Sequence, residues 1–350
     1  MVIEAIKILF VSIFSFIVAI LLTPVMMKAL LRFGIKKQIR TSESAPIFSA
    51  LHSKKAGTPT MGGIIIWGTV LFVAVLMAAL SNIFSGIGVF DHLNFISRSE
   101  TYLPLAAMVF AALFGLIDDI LGVFRIGPKG GGLAIKHKLI VYALLGSLGA
   151  WWFYSPTHLD WHVLTIPFLG NIDIGAWYIP IFMFIIIASA FSANETDGLD
   201  GLLGGVSMFA FGALGVIAIV LGRFDLAAMC GAIVGALLAF LWNNVFPAKF
   251  FMGDTGSMAL GITMGVIAML TNTTLLLPFF AAVMVIESLS VIVQKIYKKM
   301  TGKKLFLSTP IHHHFEAKGM PESQITMRLW IISWMFAGLG VIVFFLSRLV

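Results

Sequence analysis

The chain has 350 residues, of which 59% are hydrophobic and only 11% are charged. Soluble domains are about 45–50% apolar and about 25% charged, so this composition excludes a water-soluble globular protein. The net charge of +7 does not indicate nucleic-acid binding, because Lys and Arg mark the cytoplasmic side of membrane proteins. The single cysteine, Cys230, lies in an apolar run and excludes a disulfide framework. We therefore expect a polytopic integral membrane protein.

Ten apolar segments that could cross a bilayer follow one another along the chain. A transmembrane helix needs about 20 mostly apolar residues, and the third, fifth and eighth of the segments are short by this measure. The N-terminal segment lacks a small-residue cleavage site, which favours a first span over a removable signal peptide. We predict an all-α protein with a single membrane domain, 1–350. The predicted spans are 5–31, 59–80, 102–117, 139–155, 177–193, 202–221, 227–243, 258–272, 275–297 and 328–347.

Basic residues lie almost entirely on one side of these spans. If the N-terminus is outside, the inner connections hold 16 Lys and Arg residues, whereas the outer ones hold Arg98 and Arg223, with Arg348 at the C-terminus. Because the positive side is cytoplasmic, both termini are predicted to lie outside. The inner connections are 32–58, 118–138, 194–201, 244–257 and 298–327.

The outer connection 163–174 contains two short apolar runs on either side of Gly170 and Asn171. Such a pattern is typical of a small β-hairpin, with the turn at the glycine and asparagine. We expect its role to be structural.

Acidic residues cluster at the predicted cytoplasmic ends of the spans. Asp118 and Asp119 end the third span, Asp197 and Asp200 follow the fifth, and Asp254 lies between the seventh and eighth. Taken singly, each could be an ordinary solvated residue at a span boundary. Adjacent aspartates point about 100° apart on a helix, so one could hold a metal while the other meets a substrate. Together they predict a shallow acidic site on the cytoplasmic face.

The spacing and chemistry of this acidic site favour a hard cation. Asn194, Asp197 and Asp200 are three residues apart, which would place them along one side of a helical segment. Carboxylates and amides without cysteine favour Mg²⁺, which typically takes one or two carboxylates plus substrate phosphates. On the same face, Lys55 and Lys138 could meet those phosphates.

Two further inner-loop runs leave alternatives open. The glycine-rich run 127–132 is not a P-loop, because no Gly-Lys-Ser/Thr follows it, and a flexible turn is favoured over a phosphate cradle. The consecutive histidines His312, His313 and His314 cannot easily converge on one metal, which disfavours a zinc site. Proton transfer or diphosphate binding is favoured there, with a solvated polar loop as the alternative.

Five inner-loop motifs follow in order between residues 55 and 316. They are Lys55-Ala56-Gly57-Thr58-Pro59-Thr60-Met61-Gly62-Gly63, Asp118-Asp119, Asn194-x-x-Asp197-Gly198-Leu199-Asp200-Gly201, Asn244-x-Phe246-Pro247 through Met252-Gly253-Asp254, and Pro310-Ile311-His312-His313-His314-Phe315-Glu316. Together they resemble the bacterial phospho-N-acetylmuramoyl-pentapeptide transferases, within the wider polyprenyl-phosphate N-acetylhexosamine-1-phosphate transferase superfamily. The ten-span topology extends the resemblance to nearly the full length.

The resemblance implies a reaction of peptidoglycan synthesis at the bacterial inner (cytoplasmic) membrane. Phospho-MurNAc-pentapeptide would pass from UDP-MurNAc-pentapeptide to undecaprenyl phosphate, giving lipid I and UMP, with Mg²⁺ as cofactor. Family members are commonly homodimers, but this sequence carries no decisive contact motif. The nearest alternative is a sibling enzyme that uses UDP-GlcNAc and has a different histidine loop. A secondary transporter is the alternative from another class, and Glu287 inside the ninth span is the one residue that fits it.

The resemblance also implies a role for individual residues around the metal. Asp254 and Asp118 would hold Mg²⁺, and Asn194 and Asp197 would line the metal and phosphate region. Asp119 would be the base that readies the lipid phosphate, or else a nucleophile in a two-step route.

By the same resemblance, the remaining site residues would bind substrate. His312 would act on or bind the diphosphate. The supporting residues would be His313 and His314 beside it, Lys55, Thr60 and Lys138 at phosphate or nucleotide, and Asp200, Asn244, Phe251 and Gln294 in the uridine pocket, where Phe251 would stack on uracil.

Two positions depart from the family pattern. Gly122 stands where relatives usually carry a basic residue, and Arg125, one turn later, could compensate. Glu195 adds a negative charge where an apolar residue is more usual.

Overall fold

A computed structural model describes residues 2–36, 55, 57–96, 99–128 and 131–349. Some positions used in the sequence predictions lie outside the described residues. They are Lys37, Arg40, Lys54, Ala56, Arg98 and Lys129.

Each of the ten predicted spans falls on a helix or a pair of helices, in the predicted order. Between them, short helices and one hairpin complete the described fold. The helices are α1 Val2–Arg32, α2 Ile64–Ile83, α3 Gly88–Leu93, α4 Ser99–Val123, α5 Ile135–Tyr154, α6 Tyr178–Thr196, α7 Leu202–Val220, α8 Phe224–Asn244, α9 Asp254–Leu270, α10 Leu277–Phe280, α11 Ala282–Thr301, α12 Ile311–Ala317 and α13 Glu322–Ser347, with single 3₁₀ turns at Gly175–Trp177 and Thr274–Leu276.

Within the described part of the chain, seven helices are long and apolar enough to cross a membrane: α1, α2, α4, α6, α7, α8 and α13. The pair α10 and α11 bends by 89° and would add an eighth span if it crosses as one unit. The protein is therefore a multi-pass membrane protein. The count of ten and the side on which each end lies remain predictions.

The helix α9 lies at the centre of the protein rather than against lipid. It has only 17 residues, and every residue from Thr255 to Leu270 is buried. In contrast, α1 and α13 expose large apolar side chains such as Leu9 and Trp334, as expected of bilayer-facing helices. A helix surrounded by protein need not match the bilayer thickness, so α9 can carry functional residues at its end.

The hairpin predicted in segment 163–174 is confirmed, but its predicted turn is wrong. Strand β1 (Val163–Ile166) pairs antiparallel with β2 (Gly170–Asp173), and Ile166 lies opposite Gly170. The turn therefore runs through residues 167–169, where Phe168 takes the left-handed conformation with φ 68°. Gly170 and Asn171 lie in the second strand, because the chain has already reversed before them.

Candidate active site

Two helix ends place three of the four predicted catalytic residues, the aspartates, next to one another. Asp118 and Asp119 lie in the last two turns of α4, and Asp254 is the first residue of α9. These two helices approach closely at Gly115, where an added Cβ would lie 2.2 Å from the Asp254 carbonyl oxygen. A larger residue at 115 would push the two aspartate-bearing segments apart.

Asp118 and Asp254 converge on a single cation, the ammonium of Lys138 in the first turn of α5. Lys138 Nζ lies 2.6 Å from Asp118 Oδ2 and 2.7 Å from Asp254 Oδ2. Burial lowers the pKa of Lys138, but the negative charges of Asp254 and Asp118 outweigh this effect and raise the pKa above its usual range. Lys138 therefore stays protonated and holds the two carboxylates together.

The other oxygens of these two carboxylates are also held by the protein. The backbone N–H of Leu133 donates to Asp118 Oδ1, and the Asn194 side-chain amide donates to Asp254 Oδ1. Asn194, in the last turn of α6, also lies 3.2 Å from Ser257 Oγ. The predicted metal region is thus a preorganised set of hard oxygen and nitrogen groups.

The geometry fits the Mg²⁺ ion that the resemblance implies. Two carboxylates already share one positively charged group, as they would share a divalent cation. Among the described residues, no three His, Cys, Asp or Glu side chains form a metal-binding group. The two carboxylates that meet at Lys138 are the kind of donor that Mg²⁺ takes, since the ion commonly uses one or two carboxylates and completes its shell with water and substrate phosphate.

Asp119 has a different environment from its neighbour. Its two oxygens accept hydrogen bonds from the backbone N–H groups of Asp254 and Thr255, each at 3.0 Å. These donors form the first turn of α9, so Asp119 caps that helix from another helix. The Asp119 side chain thus lies beside Asp254 and also stabilises the start of α9, the helix that carries Asp254.

The predicted alignment of Asn194, Asp197 and Asp200 along one helical side is wrong. The helix α6 ends at Thr196 and Asp197 is its C-cap, so the chain leaves the helical path before Asp200. Asn194 faces Asp254, whereas Asp200 faces Lys55. The 194–201 segment therefore connects separate clusters instead of lining one face.

His312 forms a buried pair with Glu287 from α11. His312 Nδ1 lies 2.9 Å from Glu287 Oε2, and both side chains are fully buried. Among the described residues, His312 Nε2 has no hydrogen-bond partner. It points toward Gly198, where an added Cβ would lie 2.2 Å from it, so the 194–201 segment needs glycine there. Nε2 is therefore a buried polar atom that faces the 194–201 segment, while Glu287 holds the other ring nitrogen.

The other two histidines have separate partners. His313 Nδ1 lies 2.6 Å from Glu316 Oε2 on the same short helix, α12. His314 Nδ1 accepts a hydrogen bond from the Leu307 N–H at 3.2 Å. Burial lowers the pKa of His314 below its usual range, and the positive charge of Lys318 lowers it further. The three rings therefore do not converge on one point.

Lys55 and Asp200 belong to a second charged cluster. Lys55 Nζ lies 2.6 Å from Asp200 Oδ1 and 2.5 Å from Glu322 Oε1. Glu322 Oε1 also accepts the Asp200 N–H at 2.7 Å. Glu322, the first residue of α13, thus contacts two of the residues predicted to bind the nucleotide, Lys55 and Asp200.

Three other predicted substrate residues surround this second cluster. Asn244 accepts the Gly201 N–H at 3.0 Å and donates to the Phe250 carbonyl at 2.8 Å. The centre of the Phe251 ring lies 5.8 Å from Lys55 Nζ, and the Phe251 N–H donates to the Pro59 carbonyl. Thr60, the next residue after Pro59, is buried. The structure brings Lys55, Asp200, Asn244 and Phe251 together.

Gln294 contacts the loop after α11 rather than the second cluster. Its Oε1 accepts the N–H groups of Leu305 and Phe306 at 2.9 Å, and its Nε2 donates to the Phe306 carbonyl. These contacts hold the loop after α11.

At Gly122, an added Cβ would meet no described atom within 4 Å, and nothing in the structure explains the missing basic residue.

Sequence reasoning missed two acidic residues of the site. Glu287 was considered only for a transporter, although an ionisable residue within an apolar span is itself a functional signal. Glu322 carried no signal, because its partner Lys55 is 267 residues away in the sequence.

Comparisons with known proteins agree with these motifs. Residues 101–272 match the family described as glycosyl transferase family 4, and residues 55–66 match phospho-N-acetylmuramoyl-pentapeptide-transferase signature 1. A phospho-N-acetylmuramoyl-pentapeptide-transferase of Anoxybacillus flavithermus is 38% identical over 335 residues, 95% of this chain and 97% of the relative. Relatives of the same name from Chloroflexus aurantiacus and Borrelia garinii are 39% and 35% identical over 302 and 346 residues. These two alignments cover 83% and 93% of this chain, and 78% and 92% of the respective relatives.

Proposed function

Because the chain belongs to the phospho-N-acetylmuramoyl-pentapeptide transferase family, we propose that it transfers phospho-MurNAc-pentapeptide from UDP-MurNAc-pentapeptide to undecaprenyl phosphate. The products are lipid I and UMP. The protein is a multi-pass membrane transferase of peptidoglycan synthesis, and we place it in the inner membrane of a bacterium.

The observation that carries the proposal is the convergence of Asp118 and Asp254 on Lys138. In the reaction, an anionic lipid phosphate attacks an anionic diphosphate, so the site must neutralise charge and hold the reactants in line. Lys138 provides one positive charge within 2.7 Å of both carboxylates. The carboxylates in turn provide hard oxygen atoms at the same point.

Asp118 and Asp254 would hold Mg²⁺, with Asn194 and Asp197 lining the metal and phosphate region. When bound, the ion supplies Lewis-acid stabilisation of the diphosphate oxygens. The Lys138 ammonium, which contacts both carboxylates, would supply a positive charge for a substrate phosphate at the same point. Asn194 keeps Asp254 oriented through its amide hydrogen bond.

Two side chains remain for proton transfer and phosphate contact. His312 presents Nε2, while Glu287 holds Nδ1 and fixes the ring orientation. Asp119 is the base or the nucleophile of the two routes considered, and each of its oxygens retains one lone pair beyond its backbone hydrogen bond.

The second cluster is the proposed nucleotide site. Asn244 fixes the backbone of Gly201 and Phe250, and Phe251 offers an aromatic face beside the Lys55 ammonium. Uracil would stack on Phe251, while Asp200 would accept hydrogen bonds from the nucleoside. Lys55 would contact phosphate on the same side.

UMP release by the purified protein tests this function and its sibling alternative together. The detergent-solubilised protein would be given undecaprenyl phosphate and Mg²⁺, with UDP-MurNAc-pentapeptide or UDP-GlcNAc as donor. We expect UMP from the muramoyl donor only, and none with EDTA. Release from UDP-GlcNAc alone would assign the protein to the sibling reaction. No release from either donor, with a folded sample, would contradict transferase activity and return ion-driven transport to consideration.

A further inference from the structure

A cavity lies at the opposite end of helix α9 from the acidic site. Helix α9 begins at Asp254 and ends at Leu270, which separates its ends by roughly 25 Å. The cavity, of about 450 Å³, follows its C-terminal end and lies between the hairpin, the 271–276 loop and the end of α13. Its volume falls within the range of about 300–1,000 Å³ typical of small-ligand sites.

The cavity is lined by positive charge without an opposing acid. Arg223 and Arg348 both line it, and no Asp or Glu is among its described lining residues. Arg348 is exposed, lies over the Phe344 ring at 5.6 Å, and has no carboxylate partner within the described chain. A guanidinium presented in this way is well suited to bind an anion bidentately.

Arg223 is held in place by the protein and keeps further donors. Its Nη1 lies 2.5 Å from the Leu270 carbonyl, and its guanidinium lies over the Trp161 ring at 5.2 Å. Glu100, which is not a lining residue, lies 3.5 Å away and offsets part of the charge. Because a guanidinium has five N–H donors, these contacts leave donors for a ligand.

Two asparagines at the cavity also offer donors rather than acceptors. Asn272 Oδ1 accepts the Thr165 N–H at 3.0 Å, and Asn171 Oδ1 accepts from Thr165 Oγ1 at 2.6 Å. Each carbonyl oxygen is therefore used within the protein, while no described residue accepts from either side-chain NH₂ group. Together with the two arginines, the cavity presents an excess of hydrogen-bond donors, as an anion requires.

The edge of the cavity is apolar. Leu275, Leu276 and Phe344 line it, and Leu275 is 44% exposed. Trp161 lies beside Arg223, and tryptophan is enriched where a membrane protein meets the headgroup region. The hydrogen-bond donors of the cavity thus lie beside one exposed apolar side chain, Leu275, while Leu276 and Phe344 are buried behind it.

We propose that this cavity binds the phosphodiester headgroup of an anionic phospholipid, on the side of the membrane opposite the catalytic site. The predicted topology places that side in the outer leaflet. The phosphate would contact the guanidinium groups of Arg348 and Arg223, and the Asn171 and Asn272 amides would donate to its remaining oxygens. The proposal does not depend on the transferase reaction.

Native mass spectrometry of the delipidated full-length protein in detergent tests the proposal with phosphatidylglycerol as the probe. We expect Arg348→Gln and Asn171→Asp each to weaken phosphatidylglycerol binding about tenfold or more, equivalent to about 1.4 kcal/mol. Asn171→Asp keeps the oxygen that accepts from Thr165 and adds a negative charge on the exposed hairpin. This second variant keeps the test valid even if Arg348→Gln fails to fold. The matched control is Arg328→Gln, which removes the same charge near the other end of α13.

The remaining arms separate the possible sources of the anion. Weaker binding of phosphatidylcholine than of phosphatidylglycerol would support recognition of net negative charge. Millimolar glycerol 3-phosphate would be added as a competitor of phosphatidylglycerol. If it displaced the bound lipid as effectively as added phosphatidylglycerol does, the lipid assignment would be overturned in favour of a soluble phosphate ester. Equal phosphatidylglycerol binding by the wild type and both cavity variants, or equal weakening in Arg328→Gln, would overturn the site.

Discussion

Replacing Asp119 by alanine should destabilise the protein as well as stop turnover. The side chain accepts two hydrogen bonds, each at 3.0 Å, from the first backbone N–H groups of α9. Loss of a helix N-cap costs about 0.5–2 kcal/mol. Leaving a buried donor without a partner costs about 1–3 kcal/mol. Since these two effects overlap, we expect the free energy of unfolding to fall by about 2–4 kcal/mol.

Equilibrium unfolding in a mild detergent, followed by tryptophan fluorescence, measures this loss alongside UMP release. The matched variant is Asp254→Asn, which removes a carboxylate charge at the same helix end but keeps the side-chain shape and the backbone donors. It should lose turnover and the charge of its contact with Lys138 but keep both hydrogen bonds from the α9 N–H groups to Asp119, so the two variants separate the capping contribution from the loss of a charge. If Asp119→Ala unfolded like the wild type while remaining inactive, the capping role would be refuted and Asp119 would act only in the chemistry.

Other contacts give further expectations. Glu287→Gln should lower kcat for UMP release about tenfold or more and leave KM nearly unchanged, because His312 loses the charged partner that fixes its ring. An unaltered kcat would remove Glu287 from the site. Glu322→Gln should raise KM for UDP-MurNAc-pentapeptide several-fold, since Lys55 keeps only one carboxylate partner; steady-state kinetics with varied donor would show this, and an unchanged KM would count against it. Gln294→Ala should speed tryptic cleavage after residues 303 and 304, because three hydrogen bonds hold the adjacent loop; unchanged cleavage with a raised KM would favour a role in the uridine pocket instead.

Local patterns in the sequence predicted most of the helical framework. Each apolar run falls on a helix because bilayer-facing and buried helices both need long apolar stretches. The same property limits the prediction, since α9 is fully buried and its 17 residues look like a short span. The hairpin followed from its apolar runs, but Phe168 adopts the left-handed conformation usually left to glycine, so the turn fell earlier than expected.

The candidate site was predictable in its residue types and less so in its connections. The adjacent Asp118 and Asp119 were expected to point in different directions, and they contact Lys138 and the start of α9 respectively. The helical spacing of Asn194 and Asp200 was misleading, because the helix ends between them. Contacts such as Lys55 with Glu322 join residues far apart in the chain, and no local pattern encodes such a pairing.

The central claim is that Asp118 and Asp254 form the metal-dependent centre of transfer. UMP release from UDP-MurNAc-pentapeptide, measured against Mg²⁺ concentration, tests it in the wild type, Asp254→Asn and the control Asp173→Asn on the exposed hairpin. We predict saturable Mg²⁺ dependence in the wild type and in Asp173→Asn, with background release from Asp254→Asn at every concentration. Wild-type release from Asp254→Asn, or undiminished release by the wild type in EDTA, would contradict the account.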